Sequence, residues 1–214
     1  MGTIEKGFLG GFSGKVGTAV GSSWKNLDVL RSRPPRKRKG PASELQLERQ
    51  AKFTIMANFL HPLTDLLNQT YKKSASGEMS GYNKALSVNN QALTGVSPDF
   101  TVDYGKVLLG RGTLLDLTSP SVASTTAGKL VFTWTDNSAS DSKALISDMV
   151  YVAAHNPETG RWVFFEKAAP RSASTYTLDV PTFSGKPVQT YVGLMSADRK
   201  KVANSQYTGL VNVL

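Results

Sequence analysis

The sequence contains no cysteine. That excludes disulfides, iron–sulfur clusters, thiolate zinc sites and a cysteine nucleophile. Histidine is scarce as well: His61 and His155 are the only two. Imidazole-rich metal sites and most His-based catalysis need more than that. No apolar run approaches the roughly 18 residues of a transmembrane helix, so insertion into a membrane is not expected. Acid is in deficit, with 16 Asp+Glu against 25 Lys+Arg and a formal net charge of +9. What remains is ordinary globular material: 214 residues, 40% of them hydrophobic, which suits one or two domains.

The charge is unevenly placed. Residues 1–40 carry +7 and the other 174 residues only +2. The same segment holds 8 of the 19 glycines. A Gly-rich basic stretch buries too little apolar area to offset its ordering entropy, so it is expected to be disordered unless something holds it. Within it Phe8, Phe12, Val16, Val20 and Trp24 recur every four residues. That spacing fits a loose helical stripe or one face of a strand. The glycines between them would let another backbone approach closely while these five residues fill pockets. They are therefore the candidate anchors of an assembly arm.

Glycine here does not spell a phosphate cradle. Before Gly14-Lys15, position 9 is Leu, and Val16 stands where Ser or Thr is required. No GxGxxG spacing occurs either. The basic run RSRPPRKRKGP is a better polyanion candidate. Arg31, Arg33, Arg36, Lys37, Arg38 and Lys39 fall within nine positions around Pro34-Pro35. Such a run neutralises phosphates without reading sequence, because no aromatic side chain is interleaved for base stacking. A tether docked on an acidic neighbour is the alternative.

Residues 43–73 read as helix, opened by the capping pattern Ser43-x-x-Gln46 and kinked near Leu60-His61 by Pro62. A second helix is expected over 80–93, and the pair must pack on something. From about residue 98 the pattern becomes seven short strands: FTVDYGKVLLG, KLVFTWTD, SDMVYVAAHN, RWVFFEKAA, TYTLDV, VQTYVGLMSA and YTGLVNVL. Trp134 is the expected core Trp of the first sheet, and Asn156–Gly160 the turn of a hairpin. The expected fold class is α+β. Its segments are a Gly-rich basic arm (1–41), a helical segment (42–97) and an antiparallel β-sandwich (98–214).

Over roughly 125–214 these residues resemble a fibronectin type III or immunoglobulin-like sandwich. The likeness implies a structural or binding role and no activity. The opening GFLGGFSGKVGTAVGSSWKNLDVLRSRP, followed by QLERQAKF, resembles an uncharacterised bacterial family with a GKVG…GSxWK signature. That family carries no catalytic assignment to transfer.

No catalytic set, metal site or cofactor is expected. No GxSxG accompanies either histidine; His61 is read as structural and His155 as exposed at a strand end, neither as catalytic. Asp136, Asp141 and Asp148 have no EF-hand spacing. The sequence therefore points to a non-enzymatic protein that self-assembles into a coat, tube or filament through its arm, with the basic run facing nucleic acid or another polyanion. Two alternatives stand beside it: a monomeric fibronectin-like module for a protein or glycan, and a non-specific nucleic-acid binder. Glu5 and Lys6 sit where a signal peptide would turn apolar, so cytoplasmic synthesis is expected, with release in a particle or filament compatible with it.

Overall fold

The computed structural model describes residues 2–4, 11–24, 27–33, 40–75, 79–138 and 144–214. The chain falls into two compact units, Met1–Ser43 and Glu44–Leu214.

The first unit is a sheet, where the sequence suggested a disordered arm. Strands β1 (Gly2–Ile4), β2 (Phe12–Val16), β3 (Ala19–Trp24) and β4 (Leu27–Ser32) pair in that order, each antiparallel to the next. The two-residue turn Gly17-Thr18, with Gly17 at φ +59°, makes the tight hairpin between β2 and β3.

The second unit begins with α1 (Glu44–Leu60). Pro62 ends that helix as expected: its ring sits in a single 3-10 turn, His61–Leu63, before α2 (Thr64–Thr70). Helix α3 (Gly81–Asn89) is capped by Ser80, whose hydroxyl accepts from the Asn83 amide at 3.2 Å. A small hairpin, β5 (Leu93–Val96) and β6 (Asp99–Val102), follows.

The sandwich then forms from seven strands: β7 (Thr118–Ala123), β8 (Lys129–Thr135), β9 (Met149–Asn156), β10 (Arg161–Pro170), β11 (Thr175–Asp179), β12 (Pro187–Met195) and β13 (Gln206–Asn212). Three make a sheet in the order β11-β8-β7, and four make the facing sheet, β10-β9-β12-β13, all antiparallel. This is an α+β fold with an antiparallel sandwich. Six of the seven expected strands coincide with these. The first does not: FTVDYGKVLLG becomes β6, a 3-10 turn at Tyr104–Lys106 and an extended segment. Its place is taken by Thr118–Ala123, an edge strand with a bulge between Thr118 and Ser121. Pro120 has no N–H to donate, and an edge strand with a bulge is where a sheet tolerates that.

The two central strands of the four-stranded sheet, β9 and β12, are buried on both faces. Val150, Val152 and Ala154 of β9 and Val188, Val192 and Leu194 of β12 meet Leu130, Phe132, Trp134 and Leu178 between the sheets. The alternate residues Tyr151, Ala153, Tyr191 and Met195 meet Leu60, Leu63, Leu66, Leu67 and Tyr71 of the helical segment. Burying each such leucine contributes roughly 1.5–3 kcal/mol, and this shared core joins helices and sandwich into one body. Trp134 is buried as expected, its indole N–H donating to the Arg171 carbonyl at 2.7 Å.

At the centre of the second core, Gly193 stands opposite Tyr151 in the register. A Cβ on Gly193 would lie 2.3 Å from the Tyr151 ring. Gly193→Ala should therefore destabilise the body by at least ~1–3 kcal/mol through overpacking, read as a lower urea midpoint. An unchanged midpoint would show that Tyr151 has room to move.

Candidate functional site

Five of the eleven anchors and cations singled out in the sequence, Phe12, Val16, Val20, Trp24 and Arg31, fall on the N-terminal sheet. Phe12 and Val16 are on β2, Val20 on β3, and Trp24 ends β3 opposite Leu27. Phe8 lies outside the described residues. Val16 pairs with Ala19 and Lys15 with Val20, so Val16 and Val20 take opposite faces. The Phe12 ring covers the spot where a Cβ on Gly21 would lie, at 2.8 Å, which puts it on the side of Val16. The expected single-faced stripe is thus divided, because a two-residue hairpin turn inverts the alternation between the strands it joins. Arg31 on β4 and Arg33 just beyond it are exposed, and the Arg33 amide donates to the Thr18 carbonyl at 2.6 Å. Arg36, Lys37, Arg38 and Lys39 lie outside the described residues.

The described residues of this sheet are mostly exposed. Among its described residues Gly21 is the only buried one. Val16, Leu27, Val29 and Leu30 are exposed by 54%, 52%, 43% and 66%. All six residues of β4 are exposed, and in the sheet order its second edge is unpaired.

A different kind of site lies on the second unit, at one end of the sandwich. Pro170, Met149 and Met195 share a register row, and Thr118 faces Thr135. The loops after β8, β10 and β12 and the segment before β7 therefore gather there. A fully buried ion pair ties the segments after β8 and β10 to those before β7 and β9: Arg171 Nη2 lies 3.2 Å from Asp148 Oδ2. The same nitrogen donates to the Leu115 carbonyl at 3.0 Å, and Nη1 donates to Asn137 Oδ1. Asn137 in turn donates to the Asp116 carbonyl at 2.8 Å. Asp148, one of the three carboxylates weighed for calcium, is thus committed to Arg171. Asp136 caps the Ser138 amide at 3.0 Å, and Asp141 lies outside the described residues. Beside this lock Leu145 and Ile146 stand exposed.

Residues 11–209 match a family of unknown function, DUF6266. The chain belongs to this family. No curated protein matches it. Among solved structures, the fn3 domain of the human collagen alpha-1(XX) chain is similar at 17% identity and a TM-score of 0.33, over 49% of this chain and 91% of that one. The sandwich of this DUF6266 member is therefore read from its own strand order.

The histidines of this DUF6266 chain differ in setting. His61 is exposed beside Pro62. His155, expected to be exposed, is buried instead, because α1 and the Tyr104 turn cover the end of β9. Its ring packs against Trp162 at 4.6 Å, Phe59 at 4.9 Å and Tyr104 at 5.7 Å. Burial pushes its pKa down from 6.5 to about 4. Among the described residues no group of three or more His, Asp and Glu side chains could hold a metal, and no helix is long and apolar enough to cross a membrane.

Sequence reasoning missed Arg171. The available signal was a cation within the small-residue stretch AAPRSAS, downstream of an acid, Asp148, that directly precedes a strand. It also missed a second basic cluster, because the contributing segments lie far apart in the chain.

Proposed function

We propose that this protein is a non-enzymatic structural subunit that self-assembles into a homopolymer through its N-terminal unit. The observation that carries this reading is the four-stranded sheet exposing Val16, Leu27, Val29 and Leu30, with Gly21 the one buried residue among those described in it. A small single-layer sheet needs a second layer for stability, and an open edge strand is a template for pairing with another chain. A second copy supplies both. When the donated and receiving surfaces differ, the interface is heterologous and gives rings or filaments. The Glu44–Leu214 body, with a core on each face of its central sheet, is the building block of the coat, tube or filament. The run from Arg31 to Lys39 neutralises nucleic acid or another polyanion alongside it.

Deleting residues 2–40 tests this. The full chain should elute from a sizing column as a particle far above 23.0 kDa by light scattering. The deleted chain should elute as a monomer that still unfolds in a single cooperative urea transition. A full chain that runs as a monomer, or a deleted chain that still assembles, overturns the reading. A raised 260/280 nm ratio across the particle peak would place nucleic acid in it.

A second reading, a fibronectin-like binding module for a protein or glycan, is favoured by one observation. The Arg171–Asp148 lock gives the loops at one end of the sandwich a fixed shape. Loops at one end of such sandwiches are the usual recognition surface. This reading expects a monomer whose first 40 residues are cleaved readily by protease.

A further inference from the structure

We infer that the loop end of the Glu44–Leu214 body binds the phosphate backbone of nucleic acid through Lys72, Lys73, Arg111, Arg199, Lys200 and Lys201. These are none of the basic residues of the N-terminal run, and the inference does not rest on assembly.

Three segments distant in sequence are laced together here. The Ser74 hydroxyl, just past α2, donates to the Arg111 carbonyl at 2.9 Å. The Gly112 amide donates to Asn204 Oδ1 at 3.3 Å, and the Leu114 amide to the Val202 carbonyl at 3.0 Å. The extended segment 109–114 thus bridges the end of α2 and the β12–β13 loop, and six cations collect around it. All six are exposed. Among the described residues Lys200 alone of the six has a carboxylate within ion-pair distance, Asp198 at 3.6 Å. That carboxylate is already engaged, accepting from the Ser196 hydroxyl at 2.6 Å and the Lys200 amide at 3.0 Å.

The β12–β13 loop is built to present its charges. The Ser196 amide donates to the Lys201 carbonyl at 2.8 Å, the Arg199 amide to the Ser196 carbonyl at 2.8 Å, and the Lys201 amide to the Ser196 hydroxyl at 2.9 Å. Arg199 sits at φ +56°, a conformation that Gly or Asn adopts more readily. The turn thus presents the Arg199 cation from a preorganised backbone.

Chemistry selects the partner. The exposed side chains of residues 72–73, 109–114 and 196–204 are Lys, Arg, Thr and Asn together with Ala197 and Asp198, while the exposed apolar side chains of this end, Leu115, Leu145 and Ile146, belong to neighbouring segments. A protein interface needs aromatic or aliphatic anchors, and base stacking needs exposed rings. The Tyr71 ring nearby is buried, with its hydroxyl donating to the Leu108 carbonyl at 2.9 Å. Clustered cations without anchors suit a phosphate backbone, bound without regard to sequence and with strong salt dependence.

The test uses the full chain with Arg31, Arg33, Arg36, Lys37, Arg38 and Lys39 each changed to Gln, so that the N-terminal run does not mask the body. Its affinity for a short fluorescein-labelled DNA duplex of mixed sequence is measured by anisotropy over a salt series. Adding Lys72→Gln, Lys73→Gln, Arg111→Gln, Arg199→Asn, Lys200→Gln and Lys201→Gln should weaken binding at least ~30-fold at low salt. The log–log salt slope should also flatten by about 0.9 for each phosphate the variant no longer neutralises. Should that variant fail to fold, Arg199→Asn with Lys200→Gln, which suits the turn, should cost about tenfold by itself. Equal affinity with and without the body substitutions overturns the inference. So does binding of polyglutamate or phosphatidylserine vesicles as tightly as the duplex at the same salt.

Discussion

Arg171→Ala should lower the stability of the Glu44–Leu214 body by about 3–5 kcal/mol, the range for removing one partner of a buried ion pair. Arg171 and Asp148 are both fully buried. With the guanidinium gone, the Asp148 carboxylate keeps the Leu145 amide, 3.0 Å from Oδ2, but loses its counter-charge. Leu115 loses its donor and Asn137 loses the group that fixes its amide. The backbone ties survive, since the Arg171 amide still donates to the Asp148 carbonyl at 2.7 Å and the Trp134 indole to the Arg171 carbonyl. The damage should therefore be energetic and local, with the sandwich topology retained. Urea titration checks it: the midpoint should fall with little change in slope. Arg171→Met combined with Asp148→Asn should be less destabilised than Arg171→Ala, because no uncompensated charge stays buried. A loss below about 1 kcal/mol for Arg171→Ala would mean that the pair does not hold the loop end together.

Acid should destabilise the same body between pH 6.5 and pH 4, by about 3 kcal/mol from His155. In the unfolded chain His155 takes up a proton near its ordinary 6.5, while the folded site resists until about 4. Between these values the unfolded state binds more protons, so stability falls as pH falls. Above 6.5 the contribution is fully present, and below 4 the loss is complete. The cause is burial among Phe59, Tyr104 and Trp162. Urea midpoints at pH 7, 5.5 and 4 measure the fall, and His155→Leu should flatten it across this window. A His155→Leu chain that loses as much stability as the parent would assign the acid sensitivity to another group.

Those two residues mark where reading by pattern stops. A strand written MVYVAAHN looks the same whether its last turn is open or covered, and it is α1, about a hundred residues earlier in the chain, that covers it. Likewise Thr118–Ala123 carries too much Ser and Pro to announce a strand. It becomes one because β8 offers an edge that a bulged, donor-poor segment can still join. On the N-terminal side, the Val-Gly-Thr-Ala sequence of residues 16–19 was a legible hairpin signal. Taking the period of four as one continuous stripe concealed it, since the turn sends Val16 and Val20 to opposite faces.

Local sequence was enough for the α+β class, the break at Pro62, the hairpin over Asn156–Gly160, the burial of Trp134 and the concentration of charge near the N-terminus. Each follows from properties carried within a few neighbouring residues: ring constraint, turn preference, side-chain alternation and local charge density. Packing between distant segments was needed to cover both faces of β9 and β12, to bring Arg171 to Asp148, and to gather Lys72, Arg111 and Lys201 at one end of the sandwich. Those outcomes depend on which segments come together. That choice is made by the burial of whole faces, which no short window of sequence contains.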